Sequence, residues 1–275
     1  MGGLVANPAE LKREVRRHYD ALFWPYLLLW GHHLHHGLFH RGNESPREAQ
    51  VAMLRYCVSL LPEAPQRCVL DVGCGYGGTA LFLAREFGCP VHGISLSPRQ
   101  VEYANARARR KGLDRLATFG VADAERYEFA PGAYDLIWVM ESSEHFLDRP
   151  HFFARSAESL CTGGMLLLTA WAGAEAAEQD ELVQLAKASV CPAFSTQAEY
   201  RSMLNDAGLI VYRYEDLTSS VLQTWQLVRS RVRKLRPFVT FASTPVKAFS
   251  AAVDVIGEAF RRRLLTYEVC VAIRG

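Results

Sequence analysis

Short apolar runs alternate with longer amphipathic stretches along the first two thirds of the chain, and this alternation predicts its architecture. Five runs predict strands: RCVLDVG (67–73), PVHGISL (90–96), ATFGVADA (117–124), YDLIWVME (134–141) and GGMLLLTAW (163–171). The first run is almost entirely apolar, which is typical of a strand buried on both faces of a parallel sheet. Strands that alternate with helices indicate βαβ units, right-handed crossovers and a doubly wound sheet.

Local signals at the ends of the intervening stretches support the predicted helices. Ser45, with Glu48 three residues on, forms a capping-box pattern that opens a helix toward residue 61. Ser97 caps a helix that runs to residue 112, and Gly88 ends the helix before it. Further helices are predicted over 9–20 and 149–160, and Pro25 is expected to break the apolar run ALFWPYLLLW.

The pattern changes after Gly173. Helices are predicted over 174–189 and 196–206, followed by the strand GLIVYRYEDL, the amphipathic stretches TSSVLQTWQLVRSRVRKLR and KAFSAAVDVIGEAFRRRL, and a final strand, TYEVCVAIRG. Two late strands separated by helices indicate a sheet finished by a reversed edge, with the inserted helices as a cap. The whole pattern predicts an α/β protein with a doubly wound, mostly parallel, seven-stranded sheet and helical lid elements at both ends of the chain.

Composition narrows the class of protein. The chain has 275 residues, 49% hydrophobic and 22% charged, with a formal net charge of +2, which gives no general attraction to nucleic acid. Its seven cysteines are scattered and odd in number, which favours a reducing compartment over a disulfide framework or zinc ribbon. The start of the chain is charged, and the longest early apolar run falls short of the roughly 20 residues of a membrane span. We therefore expect a cytoplasmic, soluble protein.

The stretch VLDVGCGYGG places Gly73, Gly75 and Gly78 at GxGxxG spacing between a strand and a helix. In a doubly wound sheet this turn is where a nucleotide-like ligand binds. The spacing alone is weak evidence for the ligand, because NAD enzymes use the same turn.

Three residues help to distinguish the possible ligands. Asp71 ends the strand before the glycines, and its carboxylate can pair with an ammonium group, which S-adenosylmethionine (SAM) has and NAD lacks. Dinucleotide folds place an acid about 20 residues on for the ribose, where this chain has Ser95. Asp123 ends the third strand, where a carboxylate can accept a hydrogen bond from an adenine amino group.

The chain resembles the class I SAM-dependent methyltransferases, and most closely the branch with the tocopherol and sterol-methyltransferase-like enzymes. The resemblance rests on LDVGCGYGGTALFLA, GISLSPRQVEYANARA, VADA, YDLIWVMESSEHFLDRPHFF and GGMLLLTAW, in that order. It covers 69–171 strongly and the opening HYD…WGHHLHHGLF more weakly. It implies a Rossmann-like methyltransferase fold with a lid segment at 1–62, a SAM-binding core at 63–173, and a remainder at 174–275 whose inserted cap spans about 217–263.

The resemblance also implies a role for each cofactor-binding position. The methionine portion of SAM would lie on Asp71, Gly73, Cys74 and Gly75; the ribose on Ser95, Leu96 and Gln100; the adenine beside Asp123 and Ala124; and Met140 against the cofactor. Gly77 and Gly78 are expected to serve helix–sheet packing rather than ligand contact.

The stretch MESSEHF supplies the candidate catalytic residues Glu141, Glu144 and His145, because it follows a strand whose carboxyl end faces the cleft. Histidine has an ordinary pKa of about 6.5, which suits a proton acceptor. The alternative is that Glu144 and His145 cap the next helix or fix its loop.

Five of the nine histidines lie between His32 and His40. Their spacing of four suits metal ligands on a helix, but Gly31 and Gly37 interrupt a helix and no acid lies in the run, so no metal is expected. We interpret the run as a lid or pocket wall over an apolar substrate. The candidate substrate and lid residues are Tyr19, Trp24, Trp30, His36 and Trp225.

The later amphipathic helices supply the other half of the lid, with Val221, Trp225 and Val228 on one face. The basic stretch RSRVRKLR (229–236) is interpreted as a solvated face or, alternatively, as a peripheral contact with an anionic membrane or an acidic group of the substrate. No recognised nucleic-acid-binding module accompanies these charges.

These observations predict SAM-dependent methyl transfer to a mostly apolar small molecule of secondary metabolism, such as a prenylated aromatic, terpenoid, sterol or polyketide. Two alternatives remain open. One is a non-methylating enzyme, such as a cyclase, that keeps SAM on the same fold. The other, less favoured, is an NAD(P)-dependent oxidoreductase.

Overall fold

The computed structural model describes residues 8–239 and 243–275. The helices are α1 (Pro8–Ala21), α2 (Phe23–Leu29), α3 (Pro46–Ser59), α4 (Gly78–Phe87), α5 (Pro98–Arg110), α6 (Arg149–Ser159), α7 (Gln179–Ala188), α8 (Gln197–Asp206), α9 (Thr218–Val239) and α10 (Thr244–Arg261). The strands are β1 (Val69–Val72), β2 (Val91–Ser95), β3 (Ala117–Val121), β4 (Tyr134–Met140), β5 (Leu160–Gly173), β6 (Leu209–Asp216) and β7 (Leu265–Arg274).

The seven strands form one sheet in the order β3-β2-β1-β4-β5-β7-β6. Neighbouring pairs from β3 to β5 are parallel, while β7 runs antiparallel to both β5 and β6. The doubly wound, mostly parallel, seven-stranded sheet is therefore confirmed. The predicted reversed edge is wrong in one respect, because the reversed strand β7 lies inside the sheet and the edge strand β6 runs parallel to the others.

Apolar residues fill both faces of the sheet, as the pattern of the short runs predicts. Along β1 the side chains alternate, with Val69 in the core on one face and Leu70 and Val72 in the core on the other. The first face is covered by side chains of α3, α4, α5, α9 and α10, and the second by side chains of α6 and α8. Among the described helices, none has the length and hydropathy required to cross a bilayer.

The predicted helix signals are present in the structure. Ser45 Oγ accepts a hydrogen bond from the backbone N–H of Glu48, and the Glu48 carboxylate accepts one from the backbone N–H of Ser45. Ser97 caps α5 in the same way through the N–H of Gln100. Gly88 ends α4 in the left-handed region, with φ 67°.

Pro25 breaks the apolar run as predicted: α1 ends at Ala21, four residues earlier, and Pro25 lies in the first turn of α2, where a missing backbone N–H leaves no hydrogen bond unmade.

One predicted element differs from the structure. The helix predicted to begin at residue 174 begins five residues later, at Gln179, because Gly173 and Ala174 still form backbone hydrogen bonds with Ser195 and Leu264.

The predicted cap is made of α9 and α10, which lie between β6 and β7 in the chain and pack against each other and against α2 and α7. Part of its basic stretch is engaged internally. Arg229 forms an ion pair with Asp254, and the guanidinium of Arg231 donates to the carbonyl of Leu29. The side chain of Arg236 lies outside the described residues. These contacts give Arg229 and Arg231 a structural role that neither the solvated face nor the membrane contact anticipated.

Candidate active site

A cavity of about 940 Å³ lies at the carboxyl ends of β1, β2 and β4, and we call it the cofactor cavity. All ten predicted cofactor-binding residues line it: Asp71, Gly73, Cys74, Gly75, Ser95, Leu96, Gln100, Asp123, Ala124 and Met140. One face of α1 closes the cavity from above with Lys12, Val15, Arg16 and Tyr19. The sequence analysis did not identify the first three of these, although their spacing of three and four is typical of one helix face.

Glycine is required at the turn after β1. Gly73 has φ 78°, and a Cβ there would collide with Cβ of Ser142 in the loop after β4. The two loops approach this closely because Ser142 Oγ donates to the carbonyl of Val72 at 2.9 Å. Because Gly73 has no side chain, the backbone of this turn is open to the cofactor cavity.

The two glycines predicted to serve helix–sheet packing have different roles. A Cβ at Gly77 would strike Phe119 and Ala104, which agrees with packing against β3 and α5. A Cβ at Gly78 would instead strike the carbonyl of His32, and Gly78 lines the cofactor cavity. The expectation for Gly78 is therefore wrong: it makes room for the histidine-rich segment.

Asp71 is buried beside the cofactor cavity, and its Oδ2 has no hydrogen-bond partner among the described residues. Burial raises the pKa of this carboxyl to about 7, although a backbone hydrogen bond from Ala80 acts in the opposite direction. A buried carboxylate without a partner is unfavourable unless a cation reaches it. An ammonium group such as that of SAM would satisfy it.

The opposite end of the cofactor cavity is polar. Ser95 Oγ donates to Gln100 Oε1 at 2.9 Å, so neutral groups stand where dinucleotide enzymes have an acid. Asp123 accepts a hydrogen bond from Lys12 Nζ at 2.8 Å, and Lys12 also contacts the Glu125 carboxylate. Lys12 therefore ties α1 to the loop after β3, at the position that the family resemblance gives to adenine.

A second cavity of about 780 Å³ adjoins the first, and we call it the acceptor cavity. Six aromatic side chains line it: Tyr19, Tyr26, Trp30, Trp171, Trp225 and Phe249. The two cavities share Tyr19, Leu34, Glu141 and His145, so these residues stand where a cofactor and an acceptor would meet.

Four of the five predicted substrate and lid residues lie at this acceptor cavity, namely Tyr19, Trp30, His36 and Trp225. The fifth does not. Trp24 is 61% exposed, lines neither cavity, and packs against Phe23 and under the guanidinium of Arg99. Trp24 lies on the outer face of α2. The apolar run alone does not reveal this, because the face on which a residue lies depends on where the helix begins.

Glu141 is held by four hydrogen-bond donors. Its Oε1 accepts from the backbone N–H of His36 at 2.6 Å and from Tyr267 Oη at 2.8 Å. Its Oε2 is 2.9 Å from His36 Nδ1 and accepts from Trp171 Nε1 at 3.1 Å. Burial raises its pKa, but the His36 charge and these bonds outweigh burial, so the net shift is downward. With its lone pairs occupied, the carboxylate fixes the histidine-rich segment to β5 and β7.

His145 is oriented by bonds on both ring nitrogens. Nδ1 lies 3.0 Å from the carbonyl of Val190, which only accepts, so Nδ1 carries the proton. Nε2 then accepts from Tyr19 Oη at 2.9 Å. Val190 has φ 55°, a strained conformation for a β-branched residue, and it directs the carbonyl to the ring. Burial lowers the pKa of His145 to about 4, which keeps the imidazole neutral and makes Nε2 a weaker base than in water.

Glu144 lies deeper in the wall of the acceptor cavity. Its Oε1 accepts from the backbone N–H of Trp171 at 2.6 Å, and its Oε2 has no partner among the described residues. Burial raises its pKa to about 8, so the carboxyl is mostly protonated at neutral pH. Neither Glu144 nor His145 caps the next helix, because Asp148 caps α6. Both fix the loop after β4, as the alternative interpretation expected, and both also face a cavity.

The histidine-rich segment is a loop rather than a helix, so its spacing of four does not bring the imidazoles together. His32 stacks on Tyr103, His36 binds Glu141, and His35 Nδ1 is bonded to the next carbonyl. In the described parts of the chain, no group of three or more histidine, cysteine or acidic side chains is arranged to hold a metal ion. His32, His33 and His35 line the cofactor cavity, and His36 lines the acceptor cavity.

Comparison with known proteins agrees with this geometry. A family model described as a methyltransferase domain matches residues 69–164. The chain is 31% identical over 239 residues to the rice (Oryza sativa subsp. japonica) "Probable tocopherol O-methyltransferase, chloroplastic", covering 80% of this chain and 66% of that protein, just under two thirds of its length.

Two further comparisons extend the match. The chain is 32% identical over 229 residues to the 27-O-demethylrifamycin SV methyltransferase of Amycolatopsis mediterranei (strain S699), covering 81% of this chain and 83% of that protein. Its fold matches the crystal structure of the [4+2]-cyclase SpnF with a TM-score of 0.83, at 21% identity and 96% coverage of each chain. The glycine turn, the unpaired Asp71 and these relatives lead to one conclusion. The chain belongs to the class I SAM-dependent methyltransferases.

Proposed function

We propose that this protein methylates a bulky, mostly apolar small molecule of the prenylated aromatic, terpenoid, sterol or polyketide type, seated in the acceptor cavity. The observation that carries the proposal is the aromatic wall of that cavity and its junction with the cofactor cavity at Tyr19, Glu141 and His145. The mostly aromatic and aliphatic lining suits such a molecule.

The charge state of the acceptor cavity supports an apolar occupant. Burial lowers the pKa of His18 and of His145 to about 4 and raises the pKa of Glu144 to about 8, so all three are mainly uncharged at neutral pH. Glu141 keeps its charge, but its carboxylate oxygens already bind His36 and two other side chains. The cavity therefore offers aromatic surface and a few neutral polar groups rather than a free charge.

The residues around the junction have distinct parts in this reaction. Bound SAM would supply an electrophilic methyl group. Asp71 and the backbone of Gly73 to Gly75 would hold its amino-acid end, and the aromatic wall would hold the acceptor at the junction of the two cavities. The proton that the acceptor loses would pass to Tyr19 Oη as Tyr19 gives its own proton to His145 Nε2, whose Nδ1–H remains on Val190.

The test is incubation of the protein with methyl-labelled SAM and a panel of acceptors: a prenylated phenol, a sterol, a terpenoid and a polyketide, with sarcosine as the polar control. We expect label in one of the apolar acceptors and none in sarcosine. Label in sarcosine alone would contradict the proposed substrate class.

A pair of tryptophan variants sharpens the test. Trp225→Ala removes a wall of the acceptor cavity and is expected to raise the KM for the labelled acceptor about tenfold or more, with SAM affinity unchanged. Trp24→Ala is the matched control, because Trp24 is exposed and lines neither cavity. Equal effects of the two variants on KM would place the acceptor elsewhere.

The second candidate is a cyclase that retains SAM, and the observation that favours it is the fold match to the [4+2]-cyclase SpnF. In the same incubation, a cyclase would convert an acceptor to an isomer without label and without consuming SAM.

Calorimetry with SAM and with NAD tests the oxidoreductase alternative. Tight NAD binding without SAM binding would overturn both the methyltransferase and the cyclase candidates.

A further inference from the structure

A third cavity, of about 930 Å³, opens on the outer side of the histidine-rich segment, and we call it the basic cleft. It lies between the beginning of α3 and the end of α5. Four cationic side chains line it: Arg47, Arg107, Arg110 and Lys111. His32 and His33 line both the basic cleft and the cofactor cavity, so this two-residue segment is the partition between them.

The positive charge of the basic cleft is not compensated. No acidic side chain lines it, and among the described residues none of the four cations forms a salt bridge. Arg107 is buried and donates to the carbonyl of Tyr76 at 2.5 Å, and Arg110 lies over the ring of Tyr103. Neither contact neutralises a charge.

The cations act on one another and on the partition. Burial has the largest effect on the pKa of His32, and the charges of Arg107 and Lys111 have the next largest. Together with burial, these charges lower the pKa to about 4. The pKa of Lys111 is lowered chiefly by burial and next by the charges of Arg85 and Arg107. Mutual repulsion of this kind is relieved when an anion binds.

The helix dipole explains only part of this arrangement. Cations in the last turn of α5, where Arg107 and Arg110 lie, stabilise the helix by interaction with its negative end. Arg47 lies in the first turn of α3, where the same dipole disfavours a positive charge. Arg47 therefore lies at the helix end that disfavours a positive charge, and it faces three further cations. This placement indicates a binding site for an anion rather than a contribution to helix stability.

We propose that the basic cleft binds the phosphate group of a small anion, and that this binding strengthens SAM binding through the shared partition of His32 and His33. Guanidinium groups present paired donors that match phosphate oxygens. The partition is already held at both of its residues. The carbonyl of His32 packs against Gly78 at the start of α4, and Gln50 Nε2, from the wall of the basic cleft, donates to the carbonyl of His33 at 2.7 Å. An anion in the basic cleft would add a further contact to the partition.

The experiment is titration of the full chain, saturated with S-adenosylhomocysteine, with pyrophosphate at constant ionic strength. We expect saturable binding, and a Kd raised at least tenfold in the double variant Arg47→Gln, Lys111→Gln. The matched control is the double variant Arg109→Gln, Arg115→Gln, which removes the same net charge from exposed positions outside the cleft. We expect the control to change the Kd by less than twofold. Circular dichroism and unfolding temperature verify that all variants are folded.

The coupling and the source of the phosphate are tested in two further arms. Pyrophosphate should lower the Kd for S-adenosylhomocysteine by the same factor by which S-adenosylhomocysteine lowers that for pyrophosphate, and the cleft variant should abolish this factor. Phosphatidylcholine vesicles with and without phosphatidic acid distinguish a lipid headgroup from a free phosphate, since only the former predicts vesicle binding. Absence of binding to both probes, equal loss in the control variant, or unchanged affinity for S-adenosylhomocysteine would overturn the proposal.

Discussion

Burial moves the pKa values of three candidate site residues away from their ordinary values. It raises the pKa of Asp71 to about 7 and that of Glu144 to about 8, and it lowers the pKa of His145 to about 4. In the proposed reaction, Asp71 would become fully charged when an ammonium group binds, Glu144 would hold a proton at the acceptor cavity, and His145 would remain a neutral proton acceptor.

The first prediction concerns Asp71. Asp71→Asn is expected to weaken SAM binding about 10- to 100-fold, because a charge-assisted bond becomes a neutral one. Since the carboxyl must lose its proton to pair with the ammonium, SAM affinity should also fall as the pH decreases through 7, by up to about tenfold per pH unit. Calorimetry between pH 5.5 and 8 measures both effects. Asp114→Asn, exposed and away from the cavities, is the control, and an unchanged pH profile in Asp71→Asn would refute the assigned role.

The second prediction separates catalysis from binding at His145. His145→Ala is expected to lower kcat about 100-fold or more while the Kd for SAM changes less than threefold, because the ring accepts a proton but does not hold the cofactor. Single-turnover kinetics and calorimetry give the two values. His151→Ala, on the exposed face of α6, should leave both unchanged. Equal kcat in His145→Ala and the native protein would return His145 to a purely structural role.

Residues that act at strand ends could be predicted from sequence, because parallel strands bring their carboxyl ends to one edge. Asp71, Ser95 and Asp123 were placed at the cofactor cavity in this way. Contacts between distant segments could not be predicted. His36 and Glu141 are 105 residues apart, and Lys12 and Asp123 are 111 residues apart. No local pattern records such pairs, since they depend on how α1 and the histidine-rich segment fold over the sheet.

At the scale of the elements, the apolar runs predicted every strand, including the largely exposed edge strand β6. The direction of β7 could not be predicted in this way, because it depends on a crossover through two helices rather than on its own residues. The loop conformation of the histidine-rich segment is supported by Gln50 of α3, whose amide donates to the carbonyls of Trp30 and His33. No local sequence pattern records this contact.

The third prediction tests the junction of the β1 and β4 loops. Gly73→Ala is expected to reduce the free energy of unfolding by about 1–3 kcal/mol more than Gly112→Ala. Both glycines have positive φ, so the conformational cost is shared, but a Cβ at Gly73 strikes Ser142 whereas one at Gly112 meets nothing. Urea unfolding measures the difference. The same loss in both variants would mean that the two loops are not in close contact.

At the scale of the whole molecule, buried carboxyls make stability depend on pH. Asp71, Glu144 and Glu268 have raised pKa values of about 7, 8 and 7, chiefly through burial, so the folded protein binds protons more tightly than the unfolded chain. Their contribution is complete below the unfolded values near 4 and is lost as the pH rises through the folded values. Histidines with lowered pKa act in the opposite sense, but above about pH 7.5 they are largely uncharged in both states.

The fourth prediction follows from these signs. Between pH 7.5 and 8.5 the free energy of unfolding without cofactor should fall with rising pH, by about 1 kcal/mol per pH unit. Glu144→Gln should flatten the slope near pH 8, whereas Glu128→Gln, an exposed control, should not. Denaturant unfolding at several pH values provides the measurement. A stability that rises over this interval would show that the three carboxyls are ionised in the folded protein.

The ion pairs of Lys12 have a kinetic consequence. Where adenine lies beside Asp123, as the family resemblance implies, α1 would have to move away from Asp123 and Glu125 before the spent nucleoside product leaves. Because these ion pairs are mostly buried, dissolved salt screens them weakly, and raising the ionic strength should hasten product exchange only slightly. The first helix would thereby limit the rate of product exchange largely independently of the salt concentration.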